Sequence, residues 1–365
     1  MGDEMKMMNT FTPKKSTKKS KIFKTYLLMK QNIIVGRISR GTGEVEIFHE
    51  DLVPMDLYLE IGEDADLYNN RQVFDWWCAK RILSLDRDNA KAIINSCGLK
   101  QAVTDSDRAT VALQCKCLSL RDFFWIKEES DESAWDEVNL FRNHLSNAVV
   151  DIALLGKPLT VTNEQLIAAD ISTDGVFPKA WYRTEDGFIL YKGDKDNSVE
   201  KEVRASQILR SLGLNVLEYR QTEYSGAKVS ASKCFTSETI GYITAGDLNV
   251  NWDLNTDYKE YWQMLLADYL VGNSDRHQDN WGYLFNTDNQ IIGFAPVFDF
   301  NHAFEAPPDS ACLPKLLTGE RKNLIESARE AVERLKIQLN ELTPVDKYTE
   351  FVNDRIRMLR LQTNF

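Results

Sequence analysis

The chain has 365 residues, with 44 Lys and Arg against 55 Asp and Glu, so its formal net charge is −11. Apolar residues make up 43% of it, which allows a large core and excludes a collagen-like or wholly disordered chain. The net acidity argues against direct nucleic-acid binding through phosphate attraction. We expect no membrane span, because no run of about 18 apolar residues occurs. The six scattered cysteines and the lack of an apolar signal core favour a cytoplasmic location.

The N-terminal part of the chain is predicted to contain a tail and a mixed region. Residues 1–25 are rich in Lys, Ser and Thr and are predicted to be a flexible tail. Its methionines leave the true start open (Met1, Met5, Met7 and Met8). Residues 26–160 are predicted to be a mixed α/β region. Its expected elements are strands at 26–29 and 33–35, a helix from Arg71 and a helix from Glu137 to Leu155.

The rest of the chain is predicted to form two lobes. Residues 161–245 are expected to be a small sheet-rich lobe with strands at 180–183, 188–192, 216–219 and 228–235, and with one helix from Val199 to Leu212. Residues 246–365 are expected to be a helical lobe with helices at 258–271, 320–339 and 346–361 and with a hairpin at 281–294. This order is typical of an α+β, two-lobed protein-kinase-like fold, here with a mixed N-terminal extension.

The most informative segment for chemistry runs from Gly272 to Gly282, between the helix and the hairpin. Asp275 and Asn280 lie on this loop, and Asp299 follows the hairpin. The Asp-x-x-x-x-Asn spacing equals that of the protein-kinase catalytic loop, and Asp299 stands where kinases carry the Asp of Asp-Phe-Gly. One carboxylate would orient the acceptor hydroxyl, while an Asn and a second Asp would hold magnesium against the phosphates of ATP.

The other half of a phosphotransfer site is predicted upstream. Lys192 ends an apolar strand, and Glu202 lies on an otherwise apolar helix stripe, so we expect an ion pair between them. A turn near Gly175 and Lys179 could cover the phosphates. The common nucleotide loops Gly-x-Gly-x-x-Gly and Walker A are absent from the sequence.

With these residues in place, the sequence resembles the HipA-like kinases, which are bacterial serine/threonine kinases and often toxins. The resemblance rests on Asn273-Ser-Asp-Arg-His-Gln-Asp-Asn280, on Pro296-Val-Phe-Asp299 and on Asp174-Gly-Val-Phe-Pro-Lys179. These motifs, with Lys192 and Glu202 between them, follow the family order over about residues 170–305.

The resemblance implies a role for each matching residue. Asp275 would be the catalytic base, and His277 would support its loop. Asn280 and Asp299 would bind Mg²⁺. The ATP-binding group would contain Gly175, Lys179, Lys192 and Glu202. An inhibitory autophosphorylation site is expected at Ser172 or Thr173.

The resemblance also implies a partner, and the sequence departs from the family in two places. A small DNA-binding antitoxin is a plausible partner, although this chain has no clear helix-turn-helix of its own. Asp279 stands where a lysine is common in the family, and the first 150 residues do not clearly match the usual N-terminal barrel. These departures put toxin activity in doubt, but not the phosphotransfer chemistry.

The expected function is that of an ATP- and Mg²⁺-dependent kinase acting on Ser or Thr of a protein that the sequence does not identify. Other functions stay open at this point. They are a phosphoinositide-type or small-molecule kinase, a catalytically silent pseudokinase scaffold, and a metal-dependent phosphohydrolase. The phosphohydrolase would use Asp275, His277, Asp279 and Asp299 as its metal cluster.

Overall fold

The computed structural model describes residues 24–82, 104–143, 178–185, 187–248, 258–311 and 322–362. Strands within these ranges are β1 (Thr25–Lys30), β2 (Ile33–Ser39), β3 (Val45–Ile47), β4 (Phe124–Glu128), β5 (Lys179–Thr184), β6 (Gly187–Gly193), β7 (Tyr219–Tyr224), β8 (Ala227–Lys233), β9 (Ile240–Thr244), β10 (Gly282–Asn286) and β11 (Ile291–Phe294). Helices are α1 (Leu67–Lys80), α2 (Asp105–Gln114), α3 (Trp135–Val138), α4 (Ser198–Ser211), α5 (Lys259–Val271), α6 (Leu324–Leu335) and α7 (Lys347–Gln362).

The N-terminal region is built on an antiparallel sheet with the strand order β3-β2-β1-β4. Strands β1 and β2 confirm the expected strands at 26–29 and 33–35. The helix expected from Arg71 is α1, which begins earlier because Asp66 caps the backbone N–H groups of Tyr68 and Asn69. Apolar side chains from α1 and the sheet, such as Trp77 and Trp125, are fully buried.

The helix predicted from Glu137 to Leu155 is wrong over residues 139–143. Helix α3 ends at Val138, and Asn139 adopts an extended backbone. The Asn139 side chain accepts a hydrogen bond from the Arg142 N–H at 2.8 Å. Asn side chains compete with the helix backbone in this way, which ends the helix. Residues 144–155 of that prediction lie outside the described residues.

The middle of the chain forms a second antiparallel sheet with the order β5-β6-β8-β7, against which α4 packs. The predicted hairpin and helix are confirmed, and Gly213 stands just beyond the helix with φ +78°. The strand expected at 216–219 is wrong, since β7 begins only at Tyr219. Val216 instead makes an isolated parallel bridge to Val297, which brings the segment after β11 next to this sheet.

The third sheet has the order β11-β10-β9 and adjoins the helical part of the chain. Helix α5 lies where it was predicted, and every residue from Tyr261 to Val271 is buried. Strand β10 begins at Gly282, a position that has no room for a side chain. A Cβ there would lie 2.0 Å from the Ile243 carbonyl oxygen. Helix α6 is shorter than the predicted 320–339, since Asn323 caps its start and Lys336 ends it in the left-handed region.

The architecture is α+β, as predicted, with three antiparallel sheets among the described residues. The predicted boundaries at 25, 160 and 245 stay predictions. Strand β9 lies before the predicted boundary at 245 and pairs with β10, which lies after that boundary, so one sheet spans it. In the parts of the chain that the structure describes, no helix is both long enough and apolar enough to cross a membrane.

Candidate active site

Lys192 lies at the centre of the candidate site, near the end of β6. Its side chain is buried, and its Nζ donates to Oε1 of Glu202 at 2.6 Å and to Oδ1 of Asp299 at 2.9 Å. The expected contact between Lys192 and Glu202 is therefore present. Asp299 joins it from the segment that follows β11, so the upstream and downstream groups of candidate residues form one cluster.

Glu202 is 1% exposed and faces the second sheet from α4. Its second carboxylate oxygen, Oε2, accepts a hydrogen bond from the Ser230 hydroxyl on β8 at 2.7 Å. Both oxygens of this buried carboxylate thus have donors, which offsets the loss of water. Glu202 is therefore a buried, paired acid.

The charges of the cluster stabilise one another. Burial alone would lower the pKa of Lys192, but the negative charges of Asp299 and Glu202 raise that pKa well above its usual range. Burial alone would raise the pKa of Asp299, but the positive charges of Lys192 and Lys179 hold it well below its usual range. Lys192 and Asp299 are therefore both charged at neutral pH.

The loop after α5 carries Asp275 and Asn280. The Asp275 side chain is 52% exposed, as a group that meets an external substrate must be. Asn280 is buried and closes a 3₁₀ turn at Gln278–Asn280. Its Nδ2 donates to the carbonyl oxygen of Asp275 at 3.3 Å, which orients the amide group and leaves Oδ1 as its acceptor.

A buried ion pair anchors this loop to α5. Arg276 is fully buried and donates to both carboxylate oxygens of Asp268, at 3.0 Å and 2.9 Å. Its Nη1 also donates to the carbonyl oxygen of Asn280 at 2.8 Å and to that of Phe298. One guanidinium group therefore joins the helix, the loop and the residue before Asp299.

His277 and Asp279 lie on the outer side of the loop, with side chains that are 50% and 60% exposed. The Asp279 N–H donates to His277 Nδ1 at 3.3 Å, and an oxygen of the Asp279 carboxylate lies 3.6 Å from the same nitrogen. The interaction with the Asp279 carboxylate raises the pKa of His277, because the negative charge favours the protonated ring. The loop-supporting role expected of His277 stays a prediction.

The metal cluster of the phosphohydrolase alternative is not assembled. Over the described ranges, no group of three or more His, Cys, Asp or Glu side chains is placed to hold a metal ion. Asp299 instead contacts Lys192. The oxygen atoms of Asn280 and Asp299 remain the available pair for a hard cation such as Mg²⁺.

The phosphate-covering turn is only partly visible. Gly175, Ser172 and Thr173 lie outside the described residues, so their expected roles stay predictions. Lys179 opens β5 and pairs in register with Lys192 of β6. Its charge acts on Asp299, which places it electrostatically within reach of the cluster.

Sequence reasoning missed several residues of the site, namely Tyr219, Ser230, Asp268, Arg276 and His302. The Nε2 of His302 lies 3.9 Å from Oδ2 of Asp275, and its Nδ1 lies 3.0 Å from Oε2 of Glu305. For two of these residues, the position in the sequence near a predicted site residue could have indicated a role. Arg276 directly follows Asp275, and His302 stands three residues after Asp299.

The chain is similar to a known kinase over part of its length. No family model matches the chain. The serine/threonine-protein kinase CtkA of Helicobacter pylori is 30% identical over a 147-residue alignment, which covers 33% of this chain and 45% of the relative. The chain thus spans less than half the length of the curated relative that it matches.

Solved structures extend the comparison over nearly the whole chain. The structure of HipA from Shewanella oneidensis MR-1, in a complex with HipB and operator DNA, matches 92% of this chain and 95% of its own, with a TM-score of 0.50 and 12% identity. The chain has a HipA-like kinase fold. A crystal structure of the Helicobacter pylori proinflammatory kinase CtkA covers 50% of this chain and 90% of its own, at 19% identity and a TM-score of 0.39. Because the match to HipA covers 92% of this chain, it includes most of the first 160 residues.

Proposed function

We propose that this chain is a HipA-like kinase that uses ATP and Mg²⁺ to transfer the γ-phosphate to Ser or Thr of a protein. The observation that carries the proposal is the placement of Lys192 between the carboxylates of Glu202 and Asp299. An ion pair of this kind, next to a metal-binding Asp, is what kinases use to orient ATP phosphates. Similarity to a serine/threonine kinase over part of the chain supports the same class of reaction.

The donor set fits a magnesium-bound nucleotide. Asn280 offers an amide oxygen and Asp299 a carboxylate, and Mg²⁺ prefers such oxygen ligands. In this proposal Asn280 and Asp299 hold the ion, which neutralises charge on the phosphates when it is bound. In this proposal Lys192 would contact the phosphates, and Gly175 and Lys179 would belong to the loop that covers them.

Asp275 orients the acceptor. Its exposed carboxylate can accept a hydrogen bond from a Ser or Thr hydroxyl and take up its proton. Nε2 of His302 lies 3.9 Å from Oδ2 of Asp275, so a second polar side chain borders the position of the acceptor. Catalysis is then mainly positioning and charge stabilisation by residues that are already in place.

The acceptor and partners belong to the proposal too. The HipA protein that shares this fold was solved with HipB and operator DNA. By analogy we propose a toxin–antitoxin context, with a small DNA-binding antitoxin as partner, in the cytoplasm. Self-phosphorylation at Ser172 or Thr173 would be the corresponding means of self-inhibition.

The test is incubation of the purified protein with γ-labelled ATP and Mg²⁺, followed by mass spectrometry of the protein and of an added proteome. We expect label on the wild type and none on Asp275→Ala, which should still bind ATP. Asp288→Ala is the control, because Asp288 is an exposed acid in the turn between β10 and β11. Asp299→Ala should lose Mg²⁺-dependent ATP binding as well as transfer.

The outcomes separate the alternatives. Transfer by Asp275→Ala at the wild-type rate would overturn the assignment of Asp275. ATP binding without labelled protein would favour a lipid or small-molecule acceptor, which labelling of lipid extracts would reveal, or a pseudokinase. Absence of ATP binding by the wild type would overturn the kinase proposal as a whole.

A further inference from the structure

The peptide group that joins Phe298 to Asp299 is held on both sides by buried side chains. Its carbonyl oxygen accepts a hydrogen bond from Nη1 of Arg276. Its N–H donates to the hydroxyl oxygen of Tyr219 at 3.3 Å. Arg276 is 0% exposed and Tyr219 is 2% exposed, so water does not compete for either bond. We call these two side chains with their shared peptide the 298–299 clamp.

The clamp acts on a backbone conformation that an Asp does not adopt readily. Asp299 has φ +66°, in the left-handed region. This region is unfavourable for a residue that carries a Cβ. Because the clamp fixes the orientation of the preceding peptide, it holds Asp299 in that conformation, in which Oδ1 reaches Lys192.

Each side of the clamp is itself fixed. Tyr219 opens β7, its N–H donates to the hydroxyl of Ser206 on α4 at 3.2 Å, and its ring lies 5.3 Å from the Lys192 ammonium. Burial raises the pKa of Tyr219, so its hydroxyl stays neutral. Arg276 is held by the carboxylate of Asp268.

Arg276 links the two predicted metal ligands. It donates to the carbonyl oxygen of Asn280 and to that of Phe298, the residue before Asp299. The separation between the Asn280 and Asp299 backbones is therefore set by one rigid, planar group. A metal site with only two protein side chains depends strongly on such preorganisation.

We propose that Tyr219 and Arg276 are positioning residues that preset the Asp299 carboxylate for a nucleotide-bound divalent cation. The inference rests on the proposed function, because it takes Asp299 as a ligand of Mg²⁺. Both side chains bond to the peptide that precedes the Asp299 Cα, not to the Asp299 carboxylate. Their loss should weaken the use of Mg²⁺ and leave metal-free nucleotide binding alone.

The experiment measures ATP binding by calorimetry, first in EDTA and then at fixed ATP over a range of free Mg²⁺. Tyr219→Phe removes only the hydroxyl that accepts from Asp299. We expect the half-saturating Mg²⁺ concentration to rise by roughly three- to tenfold, the effect of one buried hydrogen bond. ATP affinity in EDTA should stay at the wild-type value.

Tyr283→Phe is the matched control. Tyr283 is also 2% exposed, and its ring packs against those of Tyr258, Trp281 and Phe294. The Tyr283→Phe variant also loses one tyrosine hydroxyl but leaves the clamp intact, so its Mg²⁺ dependence should equal that of the wild type. An equal rise in both variants would mean that the effect is a general loss of packing, and would overturn the proposal.

A second variant tests the other side of the clamp. Arg276→Lys keeps the charge beside Asp268 but cannot donate to both carbonyl oxygens in the same planar geometry. It should also raise the Mg²⁺ requirement.

The outcomes separate the clamp from the proposed function. If folded Tyr219→Phe shows the same Mg²⁺ dependence as a wild type that binds Mg²⁺-ATP, the clamp proposal alone is overturned. Wild-type protein that binds no Mg²⁺-ATP would overturn the clamp and the proposed function together.

Discussion

Lys192 and Asp299 lie 107 positions apart in the sequence, and their side chains meet at 2.9 Å. This contact joins the second sheet to the segment that follows the β10–β11 hairpin. The same ammonium group also contacts Glu202 at 2.6 Å. Lys192 therefore balances two carboxylates, and a bound phosphate would share its positive charge.

The first prediction concerns Lys192→Met, which removes that charge while keeping an apolar chain of similar length. We expect phosphotransfer to fall by about 10²-fold or more, because preorganised charge near the phosphates is lost. We also expect a loss of stability of about 3–5 kcal/mol, since buried Glu202 loses its ionic partner. Transfer rates and urea unfolding of the same preparations would measure both effects.

Lys228→Met is the matched control for this change. Lys228 lies on β8 and forms a partly exposed pair with Asp194, with side chains that are 34% and 26% exposed. Exposed pairs contribute about 0–1 kcal/mol, so both measurements should stay near wild type. A Lys192→Met protein that is folded and still turns over ATP at the wild-type rate would point to a hydrolase, which has no need of Lys192.

The sequence was informative where local pattern and chemistry agree. A single acid on an apolar helix stripe predicted that Glu202 needs a partner, and the strand pattern placed Lys192 within reach of it. The buried helix α5 and the hairpin that follows it were equally visible, because their apolar periodicity and turn residues agree. These elements position Asp275 and Asn280 relative to each other.

Other features depend on contacts between distant segments, which periodicity does not encode. Tyr219 and Arg276 stabilise the left-handed backbone of Asp299, and no sequence pattern around position 299 predicts this conformation. The prediction of a strand at 216–219 was wrong for a similar reason, because Val216 pairs with the distant Val297. Tertiary pairing outweighs local β propensity at such positions.

The second prediction concerns the protonation of His277. Its contact with Asp279 raises the pKa of His277 above the usual 6.5, so the folded protein binds this proton more tightly than the unfolded chain does. The resulting stabilisation is complete below pH 6.5 and is lost as the pH rises through the pKa of the folded state. NMR titration of the histidine ring protons would measure this pKa directly.

Asp279→Asn is the variant that tests the cause, because it removes the carboxylate and keeps the backbone N–H donor. We expect the pKa of His277 to return toward 6.5 in this variant. Identical His277 titrations in the two proteins would show that Asp279 is not responsible.

The third prediction concerns Asp247, which connects the N-terminal region to the catalytic loop. Its buried carboxylate forms ion pairs with Lys80 of α1 and Arg121. The preceding Gly246 N–H donates to the Gln278 carbonyl oxygen at 3.1 Å. Asp247→Asn should therefore lower the free energy of unfolding by about 3 kcal/mol and speed amide hydrogen exchange at residues 245–246.

A surface pair in the same region provides the control. Glu129 contacts Arg37 at 3.3 Å with a side chain that is 51% exposed. Glu129→Gln should change stability by at most about 1 kcal/mol and leave exchange at residues 245–246 unchanged. Wild-type exchange in Asp247→Asn would mean that the N-terminal region does not stabilise the loop through this contact.

The last prediction compares two glycines that follow helices. Gly272 ends α5 with φ +62°, and Gly213 follows α4 with φ +78°. A Cβ at Gly272 would lie 2.9 Å from the Ala306 carbonyl oxygen, whereas a Cβ at Gly213 would meet nothing within 4 Å. The two positions therefore share the backbone strain and differ in the space available.

Substitution by Ala separates these two effects. Gly213→Ala should lower the free energy of unfolding by about 1–2 kcal/mol, the cost of a left-handed conformation for a residue with a Cβ. Gly272→Ala should lower it by roughly 1–3 kcal/mol more, because the tightly packed backbone must move. Since Gly272 leads directly into the loop of Asp275, Gly272→Ala should also reduce phosphotransfer, while Gly213→Ala should not. Equal destabilisation of the two variants in urea would show that the contact with Ala306 is relieved without cost.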